Sequence, residues 1–173
     1  ANQHDLWDLG TSAVRFKDAY FQGTVTATAF VGDGSGLTGI SGGGGGGLPS
    51  RSTATSTTGS LAATAQADLD ITGFKSYTLL TITTDKAARV RLYVNAATRT
   101  ADAARAEGVD PTSDAGVITE VITTGAETVI ISPGAYGFNL ESSPTTNIPC
   151  RVTNKSGSTG TVQVGLNILQ LEA

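Results

Sequence analysis

Hydrophobic and polar positions alternate along most of the chain after residue 48. From Leu61 to Ile71, Leu61, Ala63, Ala65, Ala67, Leu69 and Ile71 fall on one side. Thr64, Gln66, Asp68 and Asp70 fall on the other. A period of two over such a length predicts a strand with one buried face. Gly73 ends it, and the more continuously apolar run from Tyr77 to Ile82 reads as an inner strand. Alternation returns from Arg89 to Val94, with Val90, Leu92 and Val94 opposite Arg89, Arg91 and Tyr93. Val117 to Ile122 and Thr128 to Ile131 are β-branched runs, and Thr124-Gly125-Ala126 between them reads as a short hairpin-like turn. Ile148, Cys150 and Val152 form one more alternating row, and Val162, Val164, Leu166 and Ile168 another, separated by the polar loop 154–160. Thr98 to Glu107, rich in Ala and Arg, reads as a long loop that accommodates one helical turn.

Seven or eight short strands with polar turns predict an all-β fold, an antiparallel β-sandwich of two sheets that is jelly-roll-like. Alternation suits sheets with one wet face. Ala stands at many of the expected inward positions and buries little area, so the core is expected to be modest and a partner chain to supply further burial.

Composition divides the chain into three. Residues 1–41 crowd Trp7, Phe16, Tyr20, Phe21 and Phe30 into a short segment, residues 42–47 are six consecutive glycines, and residues 48–173 are the β-patterned region. The expected organisation is a shaft or attachment segment, a polyglycine linker and a sandwich head. As a coil the linker spans about 13 Å. The alternative for the glycines is close packing of several chains around one axis, where a side chain does not fit.

Charge and rare residues exclude several classes. Charged residues are 15% of the 173, against about 25% in an ordinary globular protein. The net charge is −4, which argues against nucleic acid as a partner, since phosphate binding needs clustered Lys and Arg. No apolar run reaches the length of a membrane span, and no basic-plus-apolar leader is visible. One Cys and one His cannot make an intrachain disulfide, a common zinc site or a well-placed catalytic triad. No catalytic residue, metal ligand or cofactor is therefore expected, and the chain is read as not an enzyme. Gly32-Asp33-Gly34-Ser35-Gly36 matches neither a nucleophile elbow nor a P-loop and reads as a turn. Asp102, Glu107, Asp110 and Asp114 read as an acidic solvated loop rather than a calcium site, Cys150 as a buried structural thiol, and the sequon Asn154-Lys155-Ser156 as chance. Trp7 and an outward Tyr93 are candidates for sugar stacking, and Tyr136 and Phe138, near Pro133-Gly134, read as a loop that could decorate a tip.

Residues 9–40 carry a more specific signal. Leu9-Gly10, Ser12, Arg15-Phe16-Lys17-Asp18, Tyr20 and Gly23 are followed by a Thr/Ala stretch and then by Phe30, Gly32-Asp33-Gly34-Ser35 and Leu37-Thr38-Gly39-Ile40. In order and spacing this resembles the shaft segment of bacteriophage tail fibre and virion appendage proteins, and the region after the glycines resembles a β-rich terminal module of marine and cyanobacterial phage virion proteins. The resemblance implies a homotrimer located on the virion. Other virion proteins, and a host cell-surface glycan or protein, would be its partners. The residues agree physically. Phe16, Tyr20, Phe21, Val25, Phe30 and Leu37 are too many large apolar groups for so short a segment to bury alone, and they are the expected oligomer interface. The competing expectation, from a different class, is a secreted bacterial carbohydrate-binding or adhesion module.

Overall fold

The computed structural model describes Ala13, residues 18–26 and residues 50–173. The chain divides into two compact units, Ala1–Gly45 and Gly46–Ala173, with the division inside the glycine tract. In the first unit the described residues 18–26 form no strand or helix.

The second unit is an antiparallel β-sandwich. Its strands are β1 (Arg51–Thr57), β2 (Gln66–Thr72), β3 (Ser76–Thr84), β4 (Ala88–Tyr93), β5 (Val117–Ile122), β6 (Glu127–Phe138), β7 (Asn147–Asn154) and β8 (Gln163–Glu172). One short helix, α1 (Ala96–Ala101), follows β4. Its N-cap is Asn95, whose side-chain oxygen accepts from the Thr98 amide at 2.8 Å. The sheets run β1-β8-β3-β6 and β2-β7-β4-β5. Pairing is nested: β4 with β5, β3 with β6, β2 with β7 and β1 with β8. The first four strands thus meet the last four in reverse order, and successive strands except β4 and β5 change sheet.

That nesting corrects one sequence expectation. Thr124-Gly125-Ala126 is not a hairpin, because β5 pairs with β4 in one sheet and β6 with β3 in the other. The strand expected over 61–71 is also shorter, since β2 begins at Gln66. Thr64 adopts φ 66°, a left-handed conformation that no strand residue holds, and Leu61 makes a single bridge to Gly160. Period two continued through a segment whose backbone turns.

The core lies between the sheets. Ile71, Leu79, Ile82, Val90, Leu92, Cys150, Val152, Val162, Val164, Leu166 and Ile168 are fully buried, with Tyr77 and Ile148 nearly so. Ala54 and Ala88 are the alanines of this cluster, while Ala63, Ala65 and Ala67 are half-buried. The expectation of an alanine-heavy, modest core is therefore wrong. Large β-branched and leucine side chains from β3, β4, β7 and β8 fill it. No strand gains from burial more than β4, all six of whose residues are buried.

Close approach fixes one position on the edge strand β6. A Cβ at Gly137 would collide with the ring of Tyr77, its cross-strand partner. Gly137→Ala is expected to lower stability by about 1–3 kcal/mol, as overpacking does, measured by urea unfolding. Gly125→Ala, where a Cβ meets nothing within 4 Å, is expected to change it little.

Candidate functional site

The outer face of the sheet β2-β7-β4-β5 carries a row of charge. Asp68 on β2 stands opposite Arg151 on β7, Arg151 opposite Arg91 on β4, and Arg91 opposite Glu120 on β5. Arg89 and Tyr93 point the same way from β4. The segment 95–116, led by α1, lies over them and adds Arg99, Asp102 and Arg105. Asp102 is the centre. Its carboxylate accepts from Arg91 Nη1 at 3.0 Å, Arg105 Nε at 2.7 Å and the Tyr93 hydroxyl at 2.6 Å. Glu120 accepts from Arg89 Nε at 2.7 Å and Arg105 Nη2 at 2.5 Å. Asp68 accepts from Arg151 Nε at 2.6 Å, and Asp70 from Arg99 Nη1 at 2.6 Å. Backbone carbonyls add to the guanidinium shells: Asp102 for Arg91, Arg105 and Ala106 for Arg89, Leu69 for Arg99, while Arg91 Nε, Arg99 Nε and Arg151 Nη1 are buried without a hydrogen-bond partner. Arg91 is fully buried.

The charge states follow from this geometry. Burial opposes the charge on Asp102, but hydrogen bonds from Arg105 and Tyr93, with the charges of Arg105 and Arg91, hold its carboxyl below the usual carboxylate range. Glu120 is likewise held low against its own burial by Arg89 and Arg105. Arg105 is raised, first by its hydrogen bond to Asp102. Burial and the bond to Asp102 raise Tyr93, so its hydroxyl stays protonated and donates. Such a cluster has no free base and no exposed nucleophile. A pocket of about 360 Å³ opens beside it, lined by Asp102 and Arg105 of the cluster with Ala101, Val109, Asp110, Thr112, Asp114 and Ala115, but the cluster carboxylate that reaches it, Asp102, is already paired with Arg91 and Arg105. The cluster holds a layer together.

Tyr93 is thus corrected from an outward stacking candidate to a buried donor. Alternation placed it on the right side of its strand, but not under the segment that covers that side. The acidic loop is corrected in part as well. Asp102 is buried in the network and Glu107 pairs with Lys155, whereas Asp110 and Asp114 are exposed. Among the described residues no group of His, Cys, Asp or Glu has metal-site geometry. Cys150 is fully buried in the core, and desolvation pushes its thiol up to about 12. Asn154 of the sequon is buried too, its amide donating to the carbonyls of Leu61, Ala62 and Ser158, so the folded chain does not present it. Tyr136 and Phe138 lie on β6 rather than in a loop, and both are exposed.

Of the expected interface residues, Tyr20, Phe21 and Val25 are described, and all three are exposed, Tyr20 to 94% and Phe21 to 66%. Phe16, Phe30 and Leu37, like Trp7, lie outside the described residues.

The outer face of the other sheet is open. A groove of about 390 Å³ there is lined by Thr53 and Thr55 of β1, Thr81, Thr83 and Thr84 of β3, Gln163, Gly165 and Asn167 of β8, and Asp85. Sequence alternation gave no sign of it, because threonines on a wet face are ordinary and the groove arises only from the order β1-β8-β3. No protein-family model and no curated protein matches the chain. No helix among the described residues is long and apolar enough to cross a membrane.

Two outcomes follow for the ion network. Asp102→Ala strands the buried Arg91 without its carboxylate, leaves Arg105 with Glu120 alone, and is expected to cost about 3–5 kcal/mol in chemical denaturation. Acid acts on the same groups. Carboxylates with lowered folded values contribute stability that is present above their unfolded values, about 4, and lost as pH falls through the folded ones. The urea midpoint is expected to hold from pH 7 to about 5 and to drop below about 4, and the drop is expected to be smaller in an Asp102→Asn variant.

Proposed function

We propose that this protein is a non-enzymatic structural subunit of a bacteriophage fibre or tail appendage, acting as a homotrimer. Residues 1–41 form the shaft segment, the glycine tract the link, and the sandwich the head. The nested strand pairing supports reading the head as a jelly roll, a two-sheet arrangement common in capsid and lectin domains. The observation that carries the proposal is the exposure of Tyr20 and Phe21 in the segment whose motifs resemble phage shafts. Large aromatic groups left almost wholly in water on one chain are the groups that association covers. The head supports a mechanical role in a different way. Its polar face is locked by charge pairs and bears no reactive constellation. Interchain packing of the shaft builds the projection, and the head contacts either the host surface or another virion protein.

Light scattering of the purified chain tests this. A monodisperse species at about three times the 17.5 kDa chain mass is expected. The double variant Tyr20→Asp, Phe21→Asp places unpaired carboxylates in each interchain contact and is expected to dissociate the assembly while the head keeps its thermal transition. A folded 17.5 kDa monomer at micromolar concentration overturns the proposal.

A further inference from the structure

The two outer faces of the sandwich differ in one respect that bears on ligands. On the sheet β2-β7-β4-β5 the polar side chains are paired with one another under 95–116. On the sheet β1-β8-β3-β6 most are not, although the hydroxyls of Thr83 and Thr128 bond to each other at 2.9 Å and Thr84 donates to Thr123 Oγ1 at 2.9 Å. Thr53, Thr55, Thr81, Gln163 and Asn167 make no side-chain hydrogen bond among the described residues. Register sets them in rows: Thr53, Asn167, Thr81 and then Ile130 across the sheet, and beside it Thr55, Gly165, Thr83 and Thr128. Gly165 is the floor. It sits on a central strand between two threonines, and its missing side chain is what makes a depression out of a flat surface. A Cβ there would lie 3.6 Å from Thr55 Oγ1 and 3.8 Å from Thr83 Cβ, ordinary contact distances.

From this geometry we infer that the groove is a binding site for a neutral carbohydrate. Its lining offers hydroxyls that both donate and accept, two carboxamides that do the same, and a single charge, the carboxylate of Asp85. Such a set matches a ligand that is itself a dense array of hydroxyls. It disfavours phosphate, sulfate or a sugar acid, because no cation lines the groove, and the nearby Lys86 ammonium is paired with Asp85 at 3.9 Å. An apolar shelf lies at its side. Ile130 is 74% exposed beside Thr81, and Tyr136, 72% exposed, lies opposite Thr78 further along the same strand. From Thr81 to Thr78 is about 10 Å along a strand, the reach of two or three sugar rings. A ring lying over Tyr136 places its apolar face on the aromatic while its neighbours hydrogen-bond in the groove, the division of labour by which small-ligand sites combine apolar area with a few placed polar groups. The site deepens the proposed role of the head in contacting a surface. It rests on that reading only for where the carbohydrate comes from.

The test titrates the isotopically labelled full chain with neutral trisaccharides of glucose, mannose and galactose and follows backbone amide shifts. Saturable shifts are expected for at least one of the three, confined to Thr53, Thr55, Thr81, Thr83, Gln163, Gly165 and Asn167. Gly165→Val fills the floor with a residue that strands favour. It is expected to abolish binding while the thermal midpoint is kept or raised. Thr83→Val removes one hydroxyl at constant shape and Tyr136→Ala removes the shelf, and each is expected to weaken binding about tenfold. The proposal is overturned by no saturable shift with any of the three at about 10 mM, by shifts that Gly165→Val leaves intact, or by freezing-point depression without sugar binding, which would make the threonine rows a water-ordering surface. A change of assembly mass in Gly165→Val would overturn it by making this face a contact between copies. The two readings fail separately. A monomer that binds through the groove refutes the fibre and leaves the site, and a trimer that binds none of the sugars refutes the site alone.

Discussion

Arg91 and Arg151 stand side by side on neighbouring strands of one sheet, and that like-charge contact dictates what must surround it. Two guanidiniums facing each other on an open sheet would repel and stay in water. Here both are buried, which is tolerable only if carboxylates reach them, and they do so incompletely, leaving Arg91 Nε and Arg151 Nη1 without a hydrogen-bond partner. Asp68 and Glu120 come from the strands flanking them. Asp102 cannot, because no strand position remains above Arg91. It comes from the connection between β4 and β5, and so that connection is long, begins with a capped helical turn and folds back over the sheet. The cover is a consequence of the charges as much as of the topology.

The same requirement explains the shape of the network around Asp102. A carboxylate has about four lone-pair sites, and Arg91, Arg105 and the Tyr93 hydroxyl occupy three. Tyr93 contributes a neutral donor where a third cation would have added to the layer's excess of positive charge, Arg89, Arg91, Arg99, Arg105 and Arg151 against Asp68, Asp70, Asp102 and Glu120. Gln66 fills a similar place further out, accepting from Arg91 Nη2 at 3.1 Å while its amide donates to the Ala103 carbonyl. Few of these groups can be changed singly without orphaning another. That makes the layer rigid, and unsuited to exchange its partners for a ligand.

How much of this the sequence disclosed depends on whether a feature is local. The rows Val162 to Ile168 and Arg89 to Val94 were readable because alternation reports which side of a strand faces inward. What lies over the other side is not local. Arg91 and Tyr93 read as solvent-facing, since nothing in 95–116 has the periodicity of an element that would cover them. The stretch from Leu61 was read as strand through Thr64 because alternation carries no information about a left-handed φ. Thr124-Gly125-Ala126 looked like a hairpin because a turn between strands and a crossing between sheets use the same residues. The aromatic content of the first unit was readable as composition. In the structure it shows as the exposure of Tyr20 and Phe21.

The two faces of the sandwich therefore divide stability from recognition. A ligand approaching the β2-β7-β4-β5 face would have to break charge pairs whose separation costs more than a surface contact returns. A ligand approaching the β1-β8-β3 face meets the side chains of Thr53, Thr55, Thr81, Gln163 and Asn167, which have no other hydrogen-bond partner among the described residues. Gly165 makes the difference geometric as well as energetic, for it leaves room where every neighbouring position of its rows carries a side chain. On the proposed function, the sandwich has to hold its shape and keep one surface available. In this sandwich the arginine layer does the first, and it leaves the threonine face as the place where contact can be made at least expense to the fold.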